Sequence, residues 1–336
     1  MNICPSDKVI GQIAAIAEEL RAKTTQAKDM RSVASATPPT LKNVVYKSLK
    51  PAGYPIAPED LDFGGGSPTA SQIANASAFA ALMNQVPNPE QSFWVSSGTT
   101  VWNIWQIALE SAQVPVNGSS HVFDELKNKL RLARRSDMKG NTYYPTLYSP
   151  SSFWTAEASQ WRPLEAVVPP DGTSDQMVVR SAAGDAQRIP FDASGMPVSG
   201  ELILVTLLRE WWAPWLFDSK AWRYAPATIA PRLSDGKTPP SGAMPMYANA
   251  FMVARNVKVG LDIHKRKNAA LAKHIERASA LAWGPFQLKG TSHGGRESTL
   301  RVTPDGINSP GMQIVGFSCN VMPKCPDPNP DLDWPS

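Results

Sequence analysis

Four histidines and three cysteines bound the acid–base, nucleophilic and metal chemistry open to this chain of 336 residues. His121 falls at the start of a predicted helix. His264 and His274 lie ten residues apart on another, so about 100° of rotation per residue puts them on roughly opposite sides. His293 sits in the turn Ser292-His293-Gly294-Gly295. There is no HExxH, no HxH and no histidine–cysteine pair at ligand spacing, so no metal site is assigned. Cys4, Cys319 and Cys325 lack zinc-site spacing, and their odd number argues against a secreted disulfide framework. A single Cys319–Cys325 bridge stays open. Cys319 reads as a small buried hydrophobe in a strand, whereas Cys4 and Cys325 fall in irregular segments expected to be exposed. No GxSxG elbow appears, and nothing marks two of the scattered acids as a glycosidase pair. Gly64-Gly65-Gly66-Ser67-Pro68-Thr69 precedes an alanine-rich helix but lacks both the GxGxxG spacing and the Walker lysine. It reads as a joint with Ser67 or Thr69 as the cap. No catalytic residue and no cofactor are assigned.

The residues that remain are better suited to binding than to catalysis. Asn141–Trp161 carries Tyr143, Tyr144, Tyr148, Phe153, Trp154 and Trp161 among prolines. Such rings offer stacking surfaces to a sugar or a base, and equally anchor irregular backbone to a core. Trp215 and Trp222 lie beyond Pro214, outside the regular element that holds Trp211 and Trp212. His264-Lys265-Arg266-Lys267, with Lys273 and Arg277, could track phosphates or an acidic membrane, although a solvated helix face explains it more simply. The candidate interaction surface is therefore Tyr143, Tyr144, Trp154, Trp161, Trp215, Trp222, Lys265, Arg266 and Lys267.

Elements must hold these residues in place. Ser6–Asp29 has the helical stripe Val9, Ile13, Ile16 and Leu20, with Ser6 as a plausible cap. Its spacing suits packing on its own domain better than docking to a partner. Val33–Gly66 is broken by five prolines, with room for one short strand in Leu41–Leu49. Ala70–Met83, Thr99–Gln113 and a stretch capped by Ser120 read as helices. The last faces Phe123, Leu126 and Leu130 inward and ends in Lys127, Lys129, Arg131, Arg134 and Arg135, as the helix dipole favours. Met177–Val179 and Arg188–Phe191 read as a hairpin.

The last third changes character. Leu202–Leu208 is an unbroken β-capable run, as in a strand buried on both faces; Leu202, Val205, Leu208 and Trp212 also fit helical spacing, and the strands around it favour the strand. In Asn249–Val259 the residues Phe251, Val253, Val257 and Val259 alternate with polar or smaller ones. In Met312–Val321 the residues Val315, Phe317, Cys319 and Val321 share a face. Pro285–Leu288 and Thr299–Val302 are shorter candidates, and a helix over His264–Ala282 interrupts the strands, with Leu271, Ile275, Ala278 and Ala282 as its stripe. The expected fold is α+β: a helical N-terminal part packed with a C-terminal antiparallel sheet or sandwich carrying one inserted helix. The expected divisions are a helical region (1–135), an aromatic connecting region (136–200), a β-rich domain (201–323) and an extended proline-rich tail (324–336).

The order LFDSKAWRYAP, AFMVARNVKV, WGPFQL and GMQIVGFSCNVMPKCPDPNP over residues 200–330 resembles a set of uncharacterised bacterial proteins. That resemblance implies one folding unit and brings no assigned activity.

The net charge is only +4, and charged residues make up 18% of the chain, which disfavours a nucleic-acid partner. No signal peptide and no apolar run of transmembrane length is visible, so the chain is expected to be made in the cytoplasm, with leaderless export still open. Its expected role is a non-enzymatic interaction or assembly protein that binds a protein partner or a second copy of itself. The alternatives are a membrane-active toxin or effector with a soluble precursor state, and a carbohydrate- or nucleic-acid-binding protein.

Overall fold

A computed structural model of the chain describes residues 5–29, 44–50, 52–56, 68–170, 174–262, 268–291, 297–298, 301–303 and 306–335. Cys4, the Gly64–Ser67 joint, His293 and the basic run His264–Lys267 lie outside the described residues.

Five α-helices occur among the described residues: α1 (Pro5–Asp29), α2 (Ala70–Met83), α3 (Val101–Ser111), α4 (His121–Ala133) and α5 (Ala269–Arg277). Among the described residues fourteen strands build the two larger sheets. In chain order they begin with β1 (Val44–Ser48), β2 (Tyr54–Ile56), β3 (Leu147–Ser149), β4 (Arg162–Val167), β5 (Ser174–Arg180), β6 (Ala186–Asp192) and β7 (Pro197–Leu208). They continue with β8 (Met246–Val259), β9 (Ala280–Trp283), β10 (Phe286–Thr291), β11 (Glu297–Ser298), β12 (Arg301–Thr303), β13 (Gly306–Ser309) and β14 (Met312–Val321).

The larger sheet is antiparallel, in the order β1-β14-β8-β7-β3. Strand β4 continues the β3 edge along β7, β2 pairs with one end of β14, and the β12–β13 hairpin extends β8. The smaller sheet runs β6-β5-β9-β10-β11. The expected hairpin is there, with Met177 opposite Ile189, and it is longer than predicted.

The stretch Leu202–Val205 of β7 is apolar, and side chains from both of its faces enter a core. Leu202 enters a core shared with the smaller sheet, α1 and α5, through Val179, Leu281, Ile13 and Leu271. Ile203, Val205 and Leu207 enter a second core under α2, with Phe79, Met83, Phe153 and Phe317. A third core joins α3 and α4 to the tryptophan segment through Trp105, Leu126, Trp211 and Trp222. The stripe of α1 thus packs on its own chain.

Several expectations are corrected. Ser6 lies inside α1; its backbone N–H donates to the buried Asp175 carboxylate of β5 at 2.9 Å, so the acid favoured at a helix start comes from the smaller sheet. Trp283 Nε1 donates to the same carboxylate at 2.9 Å. Ser120 has helical backbone angles and makes no capping bond. Thr69, in contrast, forms a full capping box with Gln72. The helix predicted through Ala282 ends at Arg277, and Ala282 lies in β9. Ser279 donates to the carbonyls of Arg180 and Ser181, so pairing with β5 overrides the helical propensity of the alanines.

The two long alternating runs each change face once. An extra residue in β14 moves the register from Met252↔Gly316 to Val253↔Ile314. Val315 therefore points into the inter-sheet core, while Phe317 and Cys319 face α2. A second bulge in β8, where Asn256 has φ of 53°, separates Phe251 and Val253 from Val257 and Val259 in the same way. Gly316 is required at the β1–β14 crossing, because the Tyr46 ring lies where its Cβ would be.

Arg209 follows directly after β7 and is buried without a carboxylate partner. Its guanidinium donates to Asn84 Oδ1 at 2.6 Å, Met83 O at 2.8 Å and Ala248 O at 2.9 Å. Asn84 in turn donates to Ala80 O and Thr146 Oγ1, both at 2.7 Å. The cation thus satisfies the last carbonyl of α2 and, through Ala248 O, prolongs the sheet one step past the last β7–β8 rung, Thr206 with Ala250. Burial lowers its pKa to about 10, so it stays charged at neutral pH. Replacing Arg209 with Met should strand these acceptors and lower the unfolding free energy by about 3 kcal/mol or more, read from the urea midpoint. A midpoint unchanged from the wild type would show that the cation does not join the sheet to α2.

Candidate functional site

The chain between α4 and β4 assembles a concave surface. A short ribbon follows α4, pairing Arg135 with Tyr143 and Ser136 with Thr142. Its turn is held by Asp137, whose carboxylate accepts from Lys139 N at 2.9 Å and from Asn141 N and Nδ2, both at 2.8 Å. The next two residues before β3 are fixed from below: Trp211 Nε1 donates to Pro145 O at 3.0 Å, and Asn84 holds Thr146. The loop after β3 makes two 3₁₀ turns, Phe153–Thr155 and Ala158–Gln160, pinned by the buried rings of Phe153 and Trp161. Irregular backbone is thereby anchored by aromatic area.

What results is a groove of about 710 Å³. Ala76, Phe79 and Ala80 of α2 form one wall, Thr146 to Ser149 the floor, and Tyr143, Ser151, Ser152, Trp154 and Leu208 the remainder. No charged side chain lines it. Phe79, Tyr148 and Trp154 run in series by edge contacts, with Phe79–Tyr148 centroids at 6.0 Å and Tyr148–Trp154 at 6.3 Å. Leu147 and Leu208, opposite one another across β3 and β7, are both exposed at more than 40%. A second hollow of about 470 Å³ shares Ser151 and Ser152 and adds Thr155, Ser159 and Gln160.

Of the residues singled out in the sequence, the groove brings together Tyr143 and Trp154. Tyr144 is buried against Trp102 and Trp211, with ring centroids 5.5 and 5.6 Å away. Trp161 is buried beneath the Arg255 guanidinium, 3.9 Å from its ring centroid. Trp222 is buried and donates to Leu216 O at 2.8 Å. Trp215 stands half-exposed on the turn Pro214–Asp218, apart from the groove. Lys265, Arg266 and Lys267 lie outside the described residues. Phe79 and Leu208 line the groove without having been expected there. The one available signal is the pattern ASAFAALM, where a large ring set among alanines leaves space beside it.

No family model, curated protein or solved structure matches the chain. Among the described residues no group of three or more His, Cys, Asp or Glu side chains comes together to hold a metal ion, and no helix is long and apolar enough to cross a membrane. The buried cation Lys47 is taken up by the carbonyls of Asn88, Pro89 and Gln91, so it acts as a loop staple.

Cys319 and Cys325 are free thiols, not a bridge. Cys325, expected to be exposed, is fully buried because the tail returns to the fold: its N–H donates to Ser234 O and its carbonyl accepts from Leu233 and Ser234. Burial pushes the Cys319 thiol up to about 12, against the pull of Lys47 and Arg209, and raises Cys325 as well. In a Cys4→Ser chain, a thiol reagent should therefore leave both sulfurs unlabelled until denaturant is added. Rapid labelling of the native chain would mean that one of them is open to solvent.

Arg255 also bonds Glu201, with Nε 2.9 Å from Oε2, and together with Asn256 holds that carboxyl below its ordinary value of 4.5. A carboxylate with a depressed pKa stabilises the fold above its unfolded pKa, and the contribution fades as pH falls through the folded one. Glu201→Gln should consequently flatten the loss of thermal stability below about pH 4.5. Melting curves as steep in acid as those of the wild type would argue against this.

Proposed function

We propose that the protein is a non-catalytic binding protein that takes an extended, uncharged segment of a partner protein along β3 into the aromatic groove. The observation that carries this reading is the contrast along one sheet edge. Strand β4 carries Pro163, which has no N–H to offer, and the exposed Glu165, both of which discourage strand addition. Strand β3, further along the same edge, has neither. It pairs with β7 and presents Leu147 beside a row of rings. Main-chain pairing with apolar pockets for alternate side chains is how an edge strand recognises a peptide. The absence of charge in the groove suits an uncharged apolar segment, because burying an unpaired charge there would be unfavourable.

A second reading is supported by the hydroxyls. Ser149, Ser151 and Ser152, with the adjoining hollow, give the rings a polar margin suited to a neutral glycan.

A peptide-display selection on the whole chain separates the two. Enriched sequences should alternate apolar and small residues, and their affinity, measured by calorimetry, should fall at least about ten-fold on Trp154→Ala or Leu208→Lys. No enrichment, or binding that survives both substitutions, would sink the peptide reading. Glycan-array binding lost on Trp154→Ala, with no peptide enriched, would favour the glycan.

A further inference from the structure

The end of α4 and the ribbon after it hold most of the protein's charge asymmetry. Between Lys127 and Lys139 there are six cations and one carboxylate, an excess of five in a chain whose total excess is four. Lys129, Arg131, Arg134, Arg135 and Lys139 are all exposed. Three of them bond neutral groups: Arg131 donates to Asn128 Oδ1, Arg134 to Thr142 Oγ1, and Arg135 to the carbonyls of Leu132 and Arg134. The one carboxylate in the segment, Asp137, is occupied in holding the ribbon turn. The helix dipole favours cations in the last turn of α4, but it falls off within a turn and does not account for Lys139 at the ribbon tip.

Two large apolar side chains stand among these cations. Leu132 is 59% exposed and Met138 is 72% exposed, so both project into solvent from this basic segment. The turn bonds of Asp137 fix the Met138 tip.

We propose that this surface docks onto an anionic phospholipid bilayer, with the cations among the headgroups and Leu132 and Met138 reaching the acyl boundary. Cations close to an anionic leaflet are each attracted, and exposed apolar side chains add a contact that does not depend on salt. A nucleic acid would use the cations but would leave Leu132 and Met138 without a role. The surface is separate from the neutral groove, so it stands whatever the groove binds.

The test is co-sedimentation of the full chain with sucrose-loaded vesicles. Vesicles of phosphatidylcholine with about one third phosphatidylserine should retain the protein at low salt and release most of it at roughly 0.5 M salt, where screening is nearly complete. Pure phosphatidylcholine vesicles should not retain it. The double variant Arg131→Glu, Arg135→Glu should bind at least about ten-fold more weakly. Leu132→Ser with Met138→Ser, which keeps every charge, should weaken binding several-fold at the same salt concentration. These positions are on the surface, so unchanged circular dichroism and melting temperature would exclude unfolding as the cause. Failure of the wild type to bind the anionic vesicles overturns the proposal, as does equal binding to the neutral ones. Undiminished binding of either double variant also overturns it. Displacement from vesicles by duplex DNA, with the Leu132 and Met138 variant binding normally, would reassign the surface to phosphate in nucleic acid.

Discussion

One buried cation, Arg209, joins the larger sheet to the end of α2. Arg209 lies where β7 ends, α2 ends and β8 still has an unpaired carbonyl. Each of those ends would otherwise leave a polar group in an apolar interior. One planar guanidinium with donors pointing in several directions meets all of them, which a lysine could not do with the same fixed geometry. Because Asn84 is held by the same cation and itself holds Thr146, the geometry passes on to the start of β3 and so to the floor of the groove. The groove's shape is thus set by hydrogen bonds from beneath it.

The tryptophans share in this work. Trp105, Trp211 and Trp222 are fully buried, and each indole N–H finds a backbone carbonyl: Trp211 O at 3.1 Å, Pro145 O at 3.0 Å and Leu216 O at 2.8 Å. They fill volume while tying irregular segments to one another, which a proline-rich chain needs because its loops have few ladder bonds of their own. The C-terminal tail is held in the same manner. Val116 N–H donates to Asp333 O, and the Arg223 guanidinium lies 5.0 Å from the Trp334 ring centroid. The prolines of the tail therefore lie along their own chain.

The surface left over is divided by charge. Positive residues crowd the outer side of α4 and its ribbon, while the groove on the inner side of that ribbon carries none, with Tyr143 belonging to the ribbon and the groove alike. Three buried charged side chains are engaged in joining elements: Arg209 caps a helix, Lys47 gathers a loop, and Asp175 receives the start of α1.

The sequence by itself determined several of the helices, the central strand run and much of the core. Helical spacing in α1, α3 and α4, and the unbroken run in β7, depend on which side chains must leave water, a local property of the pattern. It also showed that Asn141–Trp161 was rich in rings and that the segment after Lys127 was basic. The tertiary structure alone decided the rest. One extra residue in β14 and one in β8 inverted the faces of Val315 and Val257, because a two-residue period has no memory across a bulge. Ala280–Trp283 became a strand because β5, earlier in the chain, offered it a partner, with Arg180 opposite Ala280. Of the rings in Asn141–Trp161, only position could sort the anchors Tyr144 and Trp161 from the groove residues Tyr143 and Trp154. Which face of a ring meets protein and which meets water depends on segments distant in sequence, such as α2 and Arg255, and no local pattern encodes that.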